Sequence, residues 1–96
     1  RSVVANAWAF GQECFLDEIA AELKKDPFEF RLSLLKEGRE ATIGHQYTIS
    51  NSRLIRVLKL AAEKGSWGTT MEAGRGRGIA AYPYMHGNSY CAMVAE

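Results

Sequence analysis

The tetrad Asp26-Pro27-Phe28-Glu29 constrains this chain more than any other feature, because it marks where a helix begins. Aspartate can accept hydrogen bonds from the unpaired amides of a first turn, proline suits the first helical position, and a glutamate three residues after the cap completes a capping box. The helix that starts there is expected over about 27–37, through Phe28, Arg31, Leu32 and Leu35, with Gly38 as a natural stop. Phe28, Phe30, Leu32 and Leu34 also alternate as a strand would, but the cap and the stop both argue against one.

Helical spacing recurs on either side. Over about 6–25, Leu16, Ile19, Ala20 and Leu23 share one face, with Phe15 beside them. Glu13, Asp17, Glu18 and Glu22 fall outside that stripe and read as a solvated face, while Lys24 and Lys25 sit where cations suit the negative end of a helix dipole. Over about 51–64, Leu54, Val57, Leu58, Ala61 and Ala62 form a one-sided apolar pattern, capped by Ser50, Asn51 or Ser52 and ended by Gly65. The intervening stretch, 39–50, shows no period and reads as a loop. Residues 66–78 are glycine-rich and irregular, with Trp67 as an anchor against the core. Two β-prone runs follow, Ile79 to Met85 and Tyr90 to Ala95, joined across His86-Gly87-Asn88-Ser89, whose central Gly-Asn predicts a type II′ hairpin. Pro83 restricts the first of these strands to an edge or a bulge. The fold class is therefore α+β, about three helices followed by a β-hairpin over about 79–95, in one unit spanning 1–96. A lone hairpin is marginal in water. The second strand is expected to join a larger sheet, and its apolar edge from Tyr90 to Val94 is liable to self-pair.

Composition excludes several classes. The chain has 96 residues, 47% apolar and 24% charged, with a net charge of +1, which gives no long-range pull on nucleic acid or an anionic membrane. No apolar run approaches the roughly 20 residues of a transmembrane helix. The first residue is Arg1 rather than Met, so the chain reads as an internal piece of a longer protein.

No catalytic motif stands out, and no residue is expected to be catalytic or to bind a metal. Cys14 and Cys91 are too few and too far apart for a disulfide scaffold and read as free thiols. Zinc ligands come in close pairs, which Cys14, Cys91, His45 and His86 do not make, so the two histidines read as turn or surface residues. A thiolate at Cys14 is disfavoured on a helix that carries four acids. Gly74-Arg75-Gly76-Arg77-Gly78 lacks the Lys-Ser/Thr of a phosphate loop and leads into a strand, so it reads as a flexible approach to the hairpin. Tyr82, Tyr84 and Tyr90 read as packing residues of that hairpin.

Four segments, taken in order, carry a resemblance. Arg1-Ser2-Val3 is followed twelve positions on by Glu13 and then by Cys14-Phe15-Leu16-Asp17-Glu18-Ile19-Ala20. Lys25-Asp26-Pro27-Phe28-Glu29-Phe30-Arg31, with Leu34 and Leu35, comes next. Leu54 to Trp67, Gly74 to Ala80 and Ser89 to Glu96 complete the set. Together they resemble the molybdopterin-binding large subunits of the xanthine dehydrogenase and aldehyde oxidase family, closest to the isoquinoline oxidoreductase branch, over all but 39–50. The resemblance implies a fragment of a subunit that oxidises an N-heteroaromatic or aldehyde substrate. It implies a molybdenum ion held by molybdopterin in the parent, and an iron–sulfur small subunit as partner alongside the rest of the large subunit. Arg1 matches the arginine of the family's loop near the cofactor and is the one residue that inherits a cofactor-binding expectation, through charge-assisted hydrogen bonds. The glycines and aromatic that follow this arginine in many members are replaced by Ser2-Val3-Val4-Ala5. The isolated chain is expected to play a structural part only, with no cofactor of its own, in a bacterial cytoplasm or periplasm. A second reading is a stand-alone interaction module that recruits a partner through the hairpin edge. A third and weaker one is an RNA-binding domain using the Gly-Arg segment.

Overall fold

The computed structural model describes residues 5–43, 47–84 and 87–96. Its elements are α1 (Ala5–Glu22), α2 (Pro27–Leu34), β1 (Glu40–Ile43), β2 (Tyr47–Ser50), α3 (Asn51–Lys64), β3 (Gly78–Tyr84) and β4 (Ser89–Ala95). The predicted α+β class holds. Arg1, His45 and His86, and with them the expectations placed on those three residues, lie outside the described residues.

Local chemistry explains where the helices start. The Asp26 carboxylate accepts from the backbone amides of Phe28 and Glu29 at 2.9 and 3.0 Å, with Pro27 opening α2. Ser50 caps α3 by accepting from the Arg53 amide. The helix stops are less simple. Lys25 N–H donates to Ala20 and Lys24 N–H to Ala21, while Trp67 N–H donates to Ala62 and Ser66 N–H to Glu63. These are Schellman closures of α1 and α3, and they place Lys24 (φ 52°) and Ser66 (φ 51°) in the left-handed region normally given to glycine. Gly65, expected as the stop of α3, has an ordinary φ of −84°. A Cβ there would stand 2.6 Å from the Cβ of Val94. Its glycine serves close approach to β4 rather than a left-handed turn. α2 ends three residues short of its expected limit, because Leu35 turns extended and packs against the core before the Gly38 turn.

Within the stretch expected to be a loop, Glu40–Ile43 and Tyr47–Ser50 are strands. β1 and β2 pair antiparallel, Glu40 opposite Ser50 and Thr42 opposite Thr48. Four-residue strands are too short to show a period, and this ribbon is supported from outside. The Tyr90 hydroxyl accepts from the Ser50 amide at 2.7 Å, and Gly87 (φ 95°) lies so close to the Thr48 carbonyl that no side chain would fit.

The second hairpin pairs β3 with β4 in the register Ile79–Val94, Ala81–Ala92 and Pro83–Tyr90. α3 lies across one face of it. Leu54, Leu58 and Ala62 meet Ile79 and Ala81, with Leu58 fully buried. Phe28, Leu32, Trp67, Ala92 and Val94 close around them. The core is small; α1 leaves Trp8, Phe10 and Phe15 exposed, and Leu23 just beyond its end is exposed too.

Two neighbouring substitutions should move stability in opposite directions. Gly65→Ala forces Val94 aside and should cost about 1–3 kcal/mol, whereas Ser66→Gly removes left-handed strain and should stabilise by about 1 kcal/mol. Urea denaturation of both variants measures the difference.

Candidate functional site

Buried charge is the chemically unusual feature of this small fold. Glu13 and Arg31, on α1 and α2, are its buried charged residues among those described. Helical spacing puts Glu13 on the same face as Leu16 and Ala20, three and seven residues on, and so on the side of α1 turned towards α2 and β3. Arg31 lies one turn into α2 and faces back across the junction.

The guanidinium uses its planar fork fully. Nε donates to Glu13 Oε2 at 2.8 Å, Nη2 to the Glu13 carbonyl at 3.0 Å, and Nη1 to Asp17 Oδ1 at 2.7 Å and to the Pro27 carbonyl at 3.1 Å. Glu13 Oε2 also accepts from the backbone amide of Ala81 at 3.0 Å. One carboxylate therefore joins α1, α2 and β3. Burial opposes the charge on Arg31, but the hydrogen bonds and negative charges of Glu13 and Asp17 outweigh it and raise the guanidinium pKa above the ordinary arginine value. A raised pKa means that the contribution of the cation is complete at any pH below that ordinary value and fades only as pH climbs past it.

The solvated-face reading of the α1 acids is thus corrected in part. Glu18 and Glu22 are exposed, but Glu13 is buried and Asp17 is held by Arg31. The misleading signal was charge itself, since an acid at an apolar-stripe position reads as an interruption until its partner 18 residues away is known. Asp26 likewise does more than cap, because its carboxylate also accepts from Trp67 Nε1 at 3.1 Å and ties α2 to the end of α3.

Cys14 and Cys91 are free and exposed. Both line an open, largely apolar groove between α1 and the face of β3–β4 turned away from α3, with Phe10, Ala80, Tyr82 and Met93. The Gly-Arg segment acts as a local brace. Arg77 donates to the Ser66 carbonyl at 2.6 Å and to the Glu96 carboxylate at 2.9 Å, and Arg75 also pairs with Glu96. Among the described residues, no group of three or more His, Cys, Asp or Glu side chains could hold a metal ion. None of their helices is long and apolar enough to cross a membrane.

No family model and no solved structure matches the chain. Over 71 residues, 73% of its length, it is 41% identical to the membrane-bound aldehyde dehydrogenase [pyrroloquinoline-quinone] of Gluconacetobacter polyoxogenes. The likeness is to an oxidoreductase, and the chain spans 9% of the length of that relative. Within the chain, what Glu13, Asp17 and Arg31 can do is hold three elements together. Every polar contact just described is made to the protein itself.

Removing one member leaves the other charged and buried. Arg31→Ala or Glu13→Ala should cost about 3–5 kcal/mol, a large part of the 5–15 kcal/mol typical of a whole domain. Glu18→Ala, on the exposed side of the same helix, should change stability by less than about 0.5 kcal/mol. Thermal unfolding followed by circular dichroism distinguishes the two classes.

Proposed function

We propose that these residues form a structural stretch of a larger oxidoreductase subunit that oxidises an aldehyde or N-heteroaromatic carbon. The observation that carries this reading is the 41% identity over 71 residues to a much longer aldehyde dehydrogenase. The ordered resemblance to molybdenum hydroxylase large subunits, closest to the isoquinoline oxidoreductase branch, supports the same class.

The parent would use a redox cofactor. The resemblance points to molybdopterin, while the printed name of the relative carries pyrroloquinoline-quinone. The described residues fit neither as a complete site. Their buried charges, Glu13 and Arg31, bind each other and the Ala81 amide, and no metal-ligating cluster stands among them. No chemical step is therefore assigned to them. Arg1 keeps its proposed place near a cofactor supplied largely by other parts of the subunit. An iron–sulfur subunit would be the electron-accepting partner. The role of the chain is architectural: Arg31 and Glu13 set the angle between α1, α2 and the β3–β4 sheet.

A rival reading, a stand-alone interaction module, draws on the outer edge of β4, which pairs with no other strand among the described residues. The coding sequence on either side decides between them. A reading frame continuing well beyond residues 1–96, whose purified product oxidises aldehydes with an artificial electron acceptor, is expected. A start and a stop codon bounding these residues would overturn the proposal. In that longer protein, Arg31→Ala should lower folded yield while leaving KM of the surviving enzyme unchanged, as a purely architectural role requires.

A further inference from the structure

The helices α1 and α3 present very different faces outwards. The exposed positions of α3 are Arg53, Arg56, Lys59, Leu60, Glu63 and Lys64, all but one of them charged, as on an ordinary surface helix. α1 has no charged residue from Ala5 to Gln12, and its first charge, Glu13, is turned inwards and buried. Successive helical residues turn by about 100°, so Trp8 and Phe10 project from nearly opposite sides, 66% and 74% exposed. A helix that is apolar all round belongs in the interior of a larger body.

A glycine marks one place on this helix. At the same angle per residue, Trp8, Gly11 and Phe15 share the side of α1 turned away from Glu13 and Ala20. Gly11 stands inside an 18-residue helix, where glycine is the poorest choice after proline. It has no positive φ, and a Cβ built on it would meet nothing within 4 Å. Among the described residues, neither backbone conformation nor a neighbour calls for glycine there. Gly11 instead floors an open hollow between Trp8 and Phe15, with Ala7 and Gln12 beside it. The molecule already shows what a glycine of ordinary φ can mean. Gly65 marks where β4 comes too close to the end of α3 for a Cβ to fit.

We propose that a helix or strand of the same, longer polypeptide crosses α1 at Gly11 and seats an apolar side chain between Trp8 and Phe15. The proposal rests on the reading of this chain as a stretch of a larger subunit. The chain spans 9% of its relative, so most of such a subunit lies outside the present residues. The same side of α1 carries exposed Glu18 and Glu22 beyond Phe15, which confines the covered stretch to the first half of the helix. α1 contains no lysine or arginine, which argues against an anionic lipid surface as the occupant.

The sign of one substitution in the full-length protein tests this. With water over Gly11, Gly11→Ala and Gly11→Leu replace a poor helix former by good ones, and Tm rises. With an element crossing there, the added side chain has no room, so Tm falls, and falls further for leucine than for alanine. The second result is expected, and a rise in Tm for both variants would overturn the proposal. Hydroxyl-radical footprinting of the unsubstituted full-length protein gives an answer even where a variant fails to fold. Trp8 and Phe15 should be oxidised about tenfold more slowly in the native protein than in urea, and equal rates would overturn the proposal. Protection that is lost on dilution assigns the face to a second copy, and protection that needs added phosphatidylcholine vesicles assigns it to lipid. Either result overturns the assignment to the same polypeptide. A reading frame closed at these residues would sink the subunit reading and this proposal together, whereas a continuing frame with Trp8 exposed would sink this proposal alone.

Discussion

One carboxylate oxygen, Glu13 Oε2, accepts from both Arg31 Nε and the Ala81 amide, and the placement of α1 against α2 and β3 depends on it. α1 buries little apolar surface, with its large side chains at Trp8, Phe10 and Phe15 turned to solvent. Hydrophobic burial alone would leave its orientation poorly determined. The fork of the guanidinium supplies what the small core does not: a fixed angle and a fixed register, because four acceptors must be met by one planar group. Such pairs often add little net stability over an apolar replacement, yet removing one partner is costly. Their value here is geometric.

Much of the secondary structure was legible because its signals are local. Asp26 and Pro27 announced α2, Ser50 and the one-sided pattern after it announced α3, and the β-prone runs around Gly87 announced β3 and β4. What escaped depends on contacts between distant residues. Glu13 read as solvent-facing until Arg31 and Ala81 came beside it. β1 and β2 read as a loop because a ribbon of four-residue strands takes support from Tyr90 and Gly87, some forty residues away. The closing of α3 shows a subtler failure. Gly65 was rightly tied to the helix end, but through its missing Cβ and not its φ, a distinction visible only when Val94 is seen against it.

This pattern explains why a resemblance could be read before any chemistry. The segment Asp26 to Arg31, which carries much of it, proves to be structural in each strongly bonded member: Asp26 caps α2 and receives Trp67, Pro27 opens the helix, and Arg31 holds α1. Glu29, expected to complete a capping box, does not hydrogen-bond back to the cap among the described residues. A motif that builds a scaffold identifies relatives through shared architecture while saying little about substrate. Arg1, the one residue with a cofactor expectation, is separate from that scaffold in sequence.

The same carboxylate that anchors α1 also seals an edge of the hairpin. By accepting the Ala81 amide, Glu13 occupies on β3 a donor that a further strand would take. Placing α1 and sealing β3 are thus one event. A substitution that shifted Glu13 off Ala81 would loosen α1 and at the same time free that edge for pairing. Defects at the Arg31–Glu13 junction should therefore appear as self-association through β3 as well as lost stability, since an exposed, uncapped edge is the common route from a loosened sheet to aggregation.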